Sequence, residues 1–402
     1  MMRCLDYWFG IPLCFFLSLV NSVFGRTKGR QKEFTKTPKV LFIGFSEMGS
    51  AILSWPAMKK VKEQYSDCEL FYWIFTSNQD AVRVLDIVPE KNIITLRTVN
   101  VLVFISDLLR NLMQIWKEKV DVVVDLELFS RFSSIVAFLS KAPLRVGFHG
   151  FTQKGLYRGN LHTHEVIYNP YTHISRNFIS LVESFEADAD EIPKLKKSLK
   201  IEHSKLVLPK LKSTDEKLND IWDRLRNAEP AIHKGSKIVV MHPSVSEALP
   251  LRRWDFDNYF KLAEKVLADP DVFVVMVGSL ICPLEESIAK RIKMPRMIDF
   301  IGKTTLQELL DLFNISRILV SHDGGMIHIA SLTEIQIIAL FGPETPVLYA
   351  PLTEKGTILY KKYSCSPCLT AYNHRLSRCT DNKCLQAITV EEVQKVICER
   401  MA

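Results

Sequence analysis

The sequence lacks the features that mark several large classes of protein. No internal repeat and no low-complexity tract interrupts its 402 residues, and no zinc-finger, RNP-type or basic-zipper pattern organises its basic residues. The net charge of +7 favours anionic ligands or surfaces. Because Lys and Arg are scattered along the chain, this charge does not favour nucleic acid over other anions. Nucleic acid is therefore not an expected partner.

Long apolar runs are nearly absent as well. Hydrophobic residues make up 47% and charged residues 24% of the chain, which is typical of a folded soluble protein with at most one apolar segment added. Five of the nine cysteines stand singly, which argues against a disulfide framework. A chain of this length is expected to form two domains.

The N-terminus is the exception, because residues 5–24 are nearly uncharged apart from Asp6. Twenty helical residues span about 30 Å, enough to cross the hydrocarbon layer of a membrane. Six basic residues follow this segment: Arg26, Lys28, Arg30, Lys32, Lys36 and Lys39. By the positive-inside rule, the rest of the chain then faces the cytoplasm. We predict an anchor and basic linker in residues 1–37, at the cytoplasmic face of the inner membrane; a cleaved signal and a misassigned start codon are the alternatives.

Short apolar runs alternate with amphipathic segments along the rest of the chain. Strands are predicted at residues 39–44, 70–75, 93–96, 120–126 and 144–148, and, after a Lys-rich linker, at 237–241, 271–277, 297–300, 318–321 and 336–341. Alternating strands and helices indicate parallel sheets that are covered on both faces. We predict an α/β fold of two doubly wound, Rossmann-like domains, residues 38–228 and 236–402, facing each other across a cleft.

The most informative segment is residues 318–330, where an apolar strand runs into a helix through Asp323, Gly324 and Gly325. Glycine backbone can approach a phosphate closely, and the amides and positive end of a helix can hold its charge. The segment is expected to bind the diphosphate of a nucleotide sugar, with Asp323 on the sugar hydroxyls and His328 one turn into the helix. A tight turn without a ligand is the alternative.

A second group of candidate donor ligands follows the first strand of the second series. Ser244 and Ser246 can reach phosphate oxygens, and the planar guanidinium of Arg252 can neutralise a leaving diphosphate without a metal. Glu286 is placed to bind a ribose diol, although a solvated helix start explains it equally well. Trp254 is expected in the core.

These motifs resemble those of glycosyltransferase family 9, which includes the ADP-heptose:lipopolysaccharide heptosyltransferases. The resemblance covers residues 38–388 and is most specific at residues 323–330 and 339–343; residues 252–254 are similar to the family's basic-plus-tryptophan motif. It implies a GT-B fold and an inverting, metal-independent transfer from a nucleotide sugar, such as ADP-heptose, to a lipid-linked, lipopolysaccharide-like or other cell-envelope glycan. It also implies that Asp323 holds the donor sugar, and that Gly324, Gly325 and Arg252 hold the diphosphate.

The catalytic base is where the sequence departs from the family. Members commonly carry a Ser-x-x-Gly-Asp loop after the first strand, with the Asp as base, and Ser50 occupies that position here. An inverting transfer needs a group that takes the proton of the acceptor hydroxyl. Glu47, in the same loop, and Glu127, at the end of a strand, are equally ranked candidates, and a structural role for Glu127 is a further interpretation.

The acceptor is expected to contact the loop that contains His149, Tyr157 and Arg158, although this loop can also be a polar lid. Four cysteines lie in residues 365–384: Cys365, Cys368, Cys379 and Cys384. They suit a structural zinc ion, with two disulfides or free thiols as alternatives, and no cofactor is expected for catalysis.

Two rival functions share the predicted fold. A sugar-nucleotide 2-epimerase would release an altered nucleotide sugar without using an acceptor. A nucleotide-sugar-binding pseudoenzyme would bind the donor without transferring it, which the replacement of the expected Asp by Ser50 suggests.

Overall fold

The computed structural model describes residues 6–24, 37–45, 47–151, 156–188, 191–196, 206–245, 249–279 and 288–401. It divides into two units, Met1–Leu206 with Ala371–His374, and Val207–Thr370 with Arg375–Ala402. The division precedes the predicted boundary at residue 228, because the helix Asp215–Ala228 packs on the helix Leu306–Ile315 of the second unit.

The first unit contains a parallel sheet of six strands. The strands are β1 (Lys39–Ile43), β2 (Glu69–Phe75), β3 (Ile93–Leu96), β4 (Val122–Asp125), β5 (Leu144–His149) and β6 (His164–Ile167). Their order across the sheet is β3-β2-β1-β4-β5-β6. The helices are α1 (Gly10–Phe24), α2 (Met48–Leu53), α3 (Trp55–Gln64), α4 (Asp80–Arg83), α5 (Val101–Glu118), α6 (Arg131–Leu139) and α7 (Ile174–Glu183).

The second unit repeats this arrangement. Its strands are β7 (Lys237–His242), β8 (Val272–Gly278), β9 (Met297–Ile301), β10 (Ile318–His322), β11 (Gln336–Phe341) and β12 (Gly356–Tyr360), in the order β12-β11-β10-β7-β8-β9. Its helices are α8 (Asp215–Ala228), α9 (Phe256–Val266), α10 (Leu306–Ile315), α11 (Gly325–Ala330), α12 (Pro346–Tyr349), α13 (Lys383–Gln386) and α14 (Val390–Met401). Numbered within each unit, both sheets have the doubly wound order 3-2-1-4-5-6.

The central strands form because their residues suit burial on both faces of a sheet. All four residues of β4 and all five of β10 are buried, as expected of strands covered by helices on both sides. Local signals fix the flanking helices: the Ser130 side chain accepts a hydrogen bond from the Ser133 amide at the start of α6, and Thr305 and Glu308 form a capping box at the start of α10. The predicted α/β class with two doubly wound sheets is confirmed.

Two strands were not predicted from the sequence, β6 and β12. Each lies at the edge of its sheet, and most of their residues are only half-buried. An edge strand needs no continuous apolar run, so these segments lack the signal that identifies the central strands.

The N-terminal helix lies against the first unit. Among the described residues, Asp6–Val23 is the one helical stretch long and apolar enough to cross a membrane, which alone is weak evidence of crossing. Helix α1 packs on α6, and Cys14 forms a small buried cluster with Ile135 and Leu161.

Candidate functional site

Each sheet has one place where the strand order reverses, between β1 and β4 in the first unit and between β7 and β10 in the second. Connections leave the carboxyl ends of these strand pairs in opposite directions, which opens a crevice for a ligand. Glu47 and Glu127 follow β1 and β4, whereas Ser244 and Asp323 follow β7 and β10. The predicted catalytic and donor residues therefore lie at the two equivalent reversal points, one in each unit.

At the first reversal point, Glu127 is held by the loop that follows β1. The Phe45 amide donates a hydrogen bond to Glu127 Oε1 at 2.6 Å, and the Glu127 amide donates to Asp125 Oδ1 at 3.1 Å. Glu47 is half-buried in extended backbone just before α2, and Ser50 lies within α2. The structure thus brings Glu127 next to the loop in which the family's base is expected.

A buried polar network lies directly beneath Glu127. Asp125 Oδ2 accepts hydrogen bonds from Ser133 Oγ at 2.9 Å and from the Arg158 guanidinium, and lies 3.1 Å from His162 Nε2. Burial alone would raise the pKa of Asp125, but the charge of Arg158 and the contacts of His162 and Ser133 bring that pKa below its usual range. Burial lowers the pKa of His162 to about 4, so His162 is neutral at neutral pH.

Arg158 differs from its predicted role as an acceptor ligand. Its side chain is fully buried, and its guanidinium also donates to the carbonyl oxygens of Ser130 at 2.9 Å and Phe148 at 2.8 Å. The sequence prediction missed this because the charged side chain lies in a polar loop. In the structure Arg158 balances the Asp125 charge inside the domain and faces no solvent.

The other two predicted acceptor residues are accessible. His149 ends β5, is half-buried, and its Nε2 lies 3.6 Å from Glu165 Oε1. Burial lowers the pKa of His149. Tyr157 is exposed. Both remain predicted acceptor contacts.

At the second reversal point the structure joins two predicted donor ligands. Arg252 Nη1 lies 3.2 Å from Asp323 Oδ2, and both side chains are largely buried. Arg252 comes from the short 3-10 turn Pro250–Arg252 after β7, and Asp323 directly follows β10. Residues 71 positions apart thus form one charged pair, which sequence spacing alone does not reveal.

Aromatic and histidine side chains lie at the ends of the same strands and in the next helix: Tyr259 and His322 are buried, and His242 is half-buried. Tyr259 Oη lies 3.1 Å from His322 Nδ1, and His242 Nδ1 lies 3.1 Å from Ser321 Oγ. Burial lowers the pKa of His242 to about 4 and that of His322 well below its usual value, so both rings are neutral at neutral pH. Trp254 is fully buried and donates to a backbone carbonyl, which confirms its predicted core role.

The hydroxyl of Ser244 stands out among the predicted donor ligands. Ser244 Oγ is buried and has no hydrogen-bond partner within the described part of the chain. A buried hydroxyl that makes no hydrogen bond destabilises the folded protein. A hydrogen bond from this hydroxyl to a ligand oxygen would remove that cost. Ser246 and Glu286, the other two ligands predicted nearby, lie outside the described residues.

The Gly-Gly turn agrees only in part with the predicted phosphate cradle. A Cβ added to Gly324 would meet no atom within 4 Å, so space is open beside this backbone. Helix α11 has only six residues, so the helix dipole assumed from the sequence contributes little here. His328 is buried in α11. Charge at this position comes mainly from Arg252.

The four C-terminal cysteines are thiols in this structure. Cys365 is exposed, Cys368 and Cys379 are half-buried, and Cys384 is buried. No group of His, Cys, Asp or Glu side chains within the described residues has the arrangement of a metal site, so the predicted zinc site finds no support. Burial raises the pKa of Cys384 to about 11.

Sequence reasoning missed the residues that support the site. These residues are buried and form hydrogen bonds with neighbouring side chains: Asp125, His162, His322 and Tyr259. The one available signal was position, because Asp125 and His322 are the last residues of β4 and β10, where parallel strands place ligand-binding groups.

Comparison with known proteins bears on the family and the fold of this chain. The model of glycosyltransferase family 9 (heptosyltransferase) matches residues 109–376, more than half of the chain. A lipooligosaccharide heptosyltransferase 2 of Haemophilus influenzae is 26% identical over 234 residues, which cover 56% of this chain and 62% of that protein. The match thus spans less than two thirds of this relative.

Two solved structures share the fold. The Escherichia coli ADP-heptose lipopolysaccharide heptosyltransferase II superposes with a TM-score of 0.67 at 17% identity, covering 90% of this chain and 98% of that one. A family 9 glycosyl transferase from Veillonella parvula superposes with a TM-score of 0.70 at 17% identity, covering 92% and 98%. The fold is therefore GT-B, and the chain belongs to glycosyltransferase family 9.

Proposed function

We propose that this protein is an inverting glycosyltransferase that moves a sugar from a nucleotide diphosphate donor of the ADP-heptose type to a lipopolysaccharide-like or other cell-envelope glycan. Family membership and the names of its relatives, a lipooligosaccharide heptosyltransferase and an ADP-heptose heptosyltransferase, support the donor and acceptor classes. The observation that carries the proposal is the Arg252–Asp323 pair at the reversal point of the second sheet.

The pair performs two tasks in this proposal. Asp323 accepts hydrogen bonds from the sugar hydroxyls, and Arg252, which Asp323 holds in place, faces the diphosphate beside Gly324 and Gly325. The Ser244 hydroxyl adds a donor for a phosphate oxygen. As the bond between the sugar carbon and the phosphate oxygen breaks, negative charge grows on the leaving diphosphate, and the Arg252 guanidinium stabilises it without a metal ion.

Glu127 is the proposed base. The Phe45 amide and the Asp125 network fix its position at the first reversal point, so the carboxylate loses little conformational freedom when an acceptor binds. The acceptor hydroxyl attacks the sugar carbon from the face opposite the diphosphate and gives its proton to Glu127, which inverts the configuration. Glu47 is the competing candidate and is tested in parallel.

The proposed acceptor site and the proposed membrane location are connected, because a lipid-linked acceptor lies in a membrane. His149 ends β5, and His149 and Tyr157 belong to the same unit as Glu127; both are assigned to the acceptor. A lipid-linked acceptor resides at a membrane, and α1 would keep the protein at the cytoplasmic face of the inner membrane.

The test is a reconstituted reaction with ADP-heptose and a lipopolysaccharide truncated in its inner core, followed by ADP release and the mass of the glycan. Transfer predicts both signals, and neither in the absence of acceptor. Conversion of the donor without acceptor would instead identify an epimerase. Tight donor binding without turnover would identify a pseudoenzyme.

A further inference from the structure

Helix α1 has two faces, and one of them is docked on the first unit by polar contacts. Asp6, just ahead of α1, accepts hydrogen bonds from the amides of Arg131 at 2.9 Å and Phe132 at 2.8 Å, the first two residues of α6. A carboxylate at the start of a helix satisfies amides that the helix itself leaves unbonded. The one acidic residue of this apolar segment is thus used as a cap for another helix.

The far end of α1 is fixed in the same way. Ser18 Oγ accepts from the Asn160 amide at 3.0 Å, Asn21 Nδ2 donates to the Asn160 carbonyl at 2.8 Å, and the Asn160 side chain donates to Ser22 Oγ at 3.1 Å. Asp6, Gly10, Cys14, Ser18 and Asn21 recur every three or four residues, so they share one side of the helix.

Two glycines allow this close approach. A Cβ on Gly10 would lie 2.8 Å from Arg131 Cβ, and a Cβ on Gly159 would lie 2.2 Å from Ser18 Oγ. Gly159 also has a φ of +68°, which other residues rarely adopt. The docked side of α1 is therefore complementary to this domain in shape as well as in polarity.

The opposite side of α1 is apolar and exposed. Its large exposed side chains are Trp8, Phe9, Leu13, Phe15, Phe16, Leu19 and Val23, with Trp8 72% and Phe16 60% accessible. Surfaces of this kind on soluble proteins mark sites of interaction.

Helix α5 carries a second exposed apolar stripe. Its members are Leu102, Ile105, Leu109, Met113 and Trp116, spaced three or four residues apart, and Leu102 is 81% accessible. The side that packs on the domain is formed by other residues, Asp107, Asn111, Leu112 and Ile115. The stripe is thus not part of the domain core.

Both exposed surfaces lie on the same face of the first sheet. The crossovers from β3 to β4, through α5, and from β4 to β5, through α6, run in the same direction across the sheet, and right-handed crossovers then place α5 and α6 on one face. Helix α6 contacts both neighbours: Phe132 packs on Phe104 of α5 at 5.5 Å, and its amide bonds to Asp6.

Basic residues lie on α5, at its end or against its side chains. They are Arg97, Arg110, Lys117, Lys119 and Lys141. The Lys141 ammonium lies over the Trp116 ring at 4.3 Å, and the only acidic partner of Arg97 and Arg110 recorded among the described residues is the buried Asp107. An apolar centre with a basic rim matches an anionic lipid surface, in which acyl chains lie below negatively charged head groups.

We propose that α1 and α5 together form one membrane-contacting face, and that α1 lies in the plane of an anionic bilayer while it stays docked on α6. A helix that crossed the bilayer would have to leave α6, which would strip the Arg131 and Phe132 amides of Asp6 and place Asp6, Ser18 and Asn21 in or beside hydrocarbon. This assignment does not depend on the transfer reaction.

Vesicle sedimentation of the full-length protein tests the role of α5. The double variant L109E/M113E should bind phosphatidylglycerol-containing vesicles at least tenfold more weakly than the wild type, and the wild type should bind neutral phosphatidylcholine vesicles more weakly than anionic ones. The matched control V347E/L376E, at exposed apolar positions of the second unit, should bind within twofold of the wild type. All four positions are on the surface, so thermal melting should show unchanged folding.

Three outcomes would overturn the role of α5. They are wild-type binding by L109E/M113E, equal binding to neutral and anionic vesicles, and a vesicle-independent dimer that L109E/M113E dissociates.

Hydrogen exchange on the vesicle-bound protein tests the orientation of α1. If α1 remains docked, peptides that contain the Arg131 and Phe132 amides should stay as protected as in the free protein, and Asp6→Ala should exchange faster there in both states. Loss of this protection on vesicle binding in the wild type would show that α1 leaves α6 and would refute the in-plane assignment.

Discussion

The two units share one strand order but place opposite charges at their reversal points. In the first unit a half-buried carboxylate, Glu127, lies next to a fully buried Asp125–Arg158 pair. In the second unit Arg252 pairs with Asp323 above the neutral rings of His322 and Tyr259. The topology determines where a site forms, whereas the buried groups beneath it determine which charge is presented there.

This difference suits the two halves of one reaction. In the proposed function the base accepts a proton, and Glu127 is a carboxylate whose position is fixed beside the Asp125–Arg158 ion pair, in which the two charges balance. In the proposed function the second reversal point holds the negative diphosphate, and it presents the Arg252 guanidinium next to histidines whose neutral rings do not repel it. Each variant below changes one unit, and it is compared with a second variant.

The largest expected effect is on the chemical step. Glu127→Gln removes the proposed base while keeping the hydrogen bond to the Phe45 amide, so kcat should fall by ~10²- to 10⁴-fold with little change in the KM for donor. Glu47→Gln should have a smaller effect, and Glu63→Gln, on the exposed surface of α3, should have none. Unchanged transfer by both Glu127→Gln and Glu47→Gln would remove both carboxylates as bases.

The next effect is on stability. Arg158→Met leaves the buried Asp125 carboxylate without its main countercharge, so the free energy of unfolding should fall by about 3–5 kcal/mol. Arg83→Met, which breaks an exposed ion pair in the same unit, should cost less than about 1 kcal/mol. Urea denaturation measures both, and equal costs would contradict the structural role of Arg158.

The contrast between Arg158 and Trp254 shows what sequence alone can predict. Apolar runs identified the central strands, and residue type identified the buried tryptophan, because burial of apolar side chains is determined mostly by their own chemistry. The burial of Arg158 depends on Asp125, 33 positions earlier, and the pairing of Arg252 with Asp323 depends on neighbouring strands β7 and β10. Such contacts are made by the fold and leave no local pattern.

The Gly-Gly turn illustrates the same limit. Its position after a buried strand and the short helix that follows it were predictable, but the contact of Asp323 with Arg252 was not, because the two residues are 71 positions apart. The six-residue helix moves the expected source of positive charge from the dipole to Arg252.

Acid should destabilise both units through buried histidines. Burial lowers the pKa of His162 and of His242 from 6.5 to about 4. As the pH falls below about 6.5, these histidines therefore become protonated in the unfolded chain while they stay neutral in the folded protein. The free energy of unfolding should therefore fall between pH 6.5 and pH 4, by ~1–3 kcal/mol for each ring.

Single variants separate the two units in this experiment. His162→Asn and His242→Asn should each flatten the pH dependence of unfolding. A pH dependence that neither buried variant alters would contradict the assignment.

The smallest effect concerns the helix that only the first unit carries. Asp6→Ala removes the acceptor of the Arg131 and Phe132 amides, while Ser130 still caps α6, so the free energy of unfolding should fall by about 0.5–2 kcal/mol. Asp67→Ala, at an exposed position of the same unit, should change it by less than about 0.5 kcal/mol. If Asp6→Ala and Asp67→Ala both have the same free energy of unfolding as the wild type, the contacts of Asp6 do not stabilise the domain.

Calorimetric titration of ADP tests most directly whether the two reversal points do different jobs. Arg252→Gln should weaken ADP binding by about 10- to 100-fold, since a charge-assisted hydrogen bond contributes ~1.5–3 kcal/mol, while Glu127→Gln should bind ADP within twofold of the wild type. Equal ADP binding by Arg252→Gln and the wild type, or loss of binding in Glu127→Gln, would contradict the account.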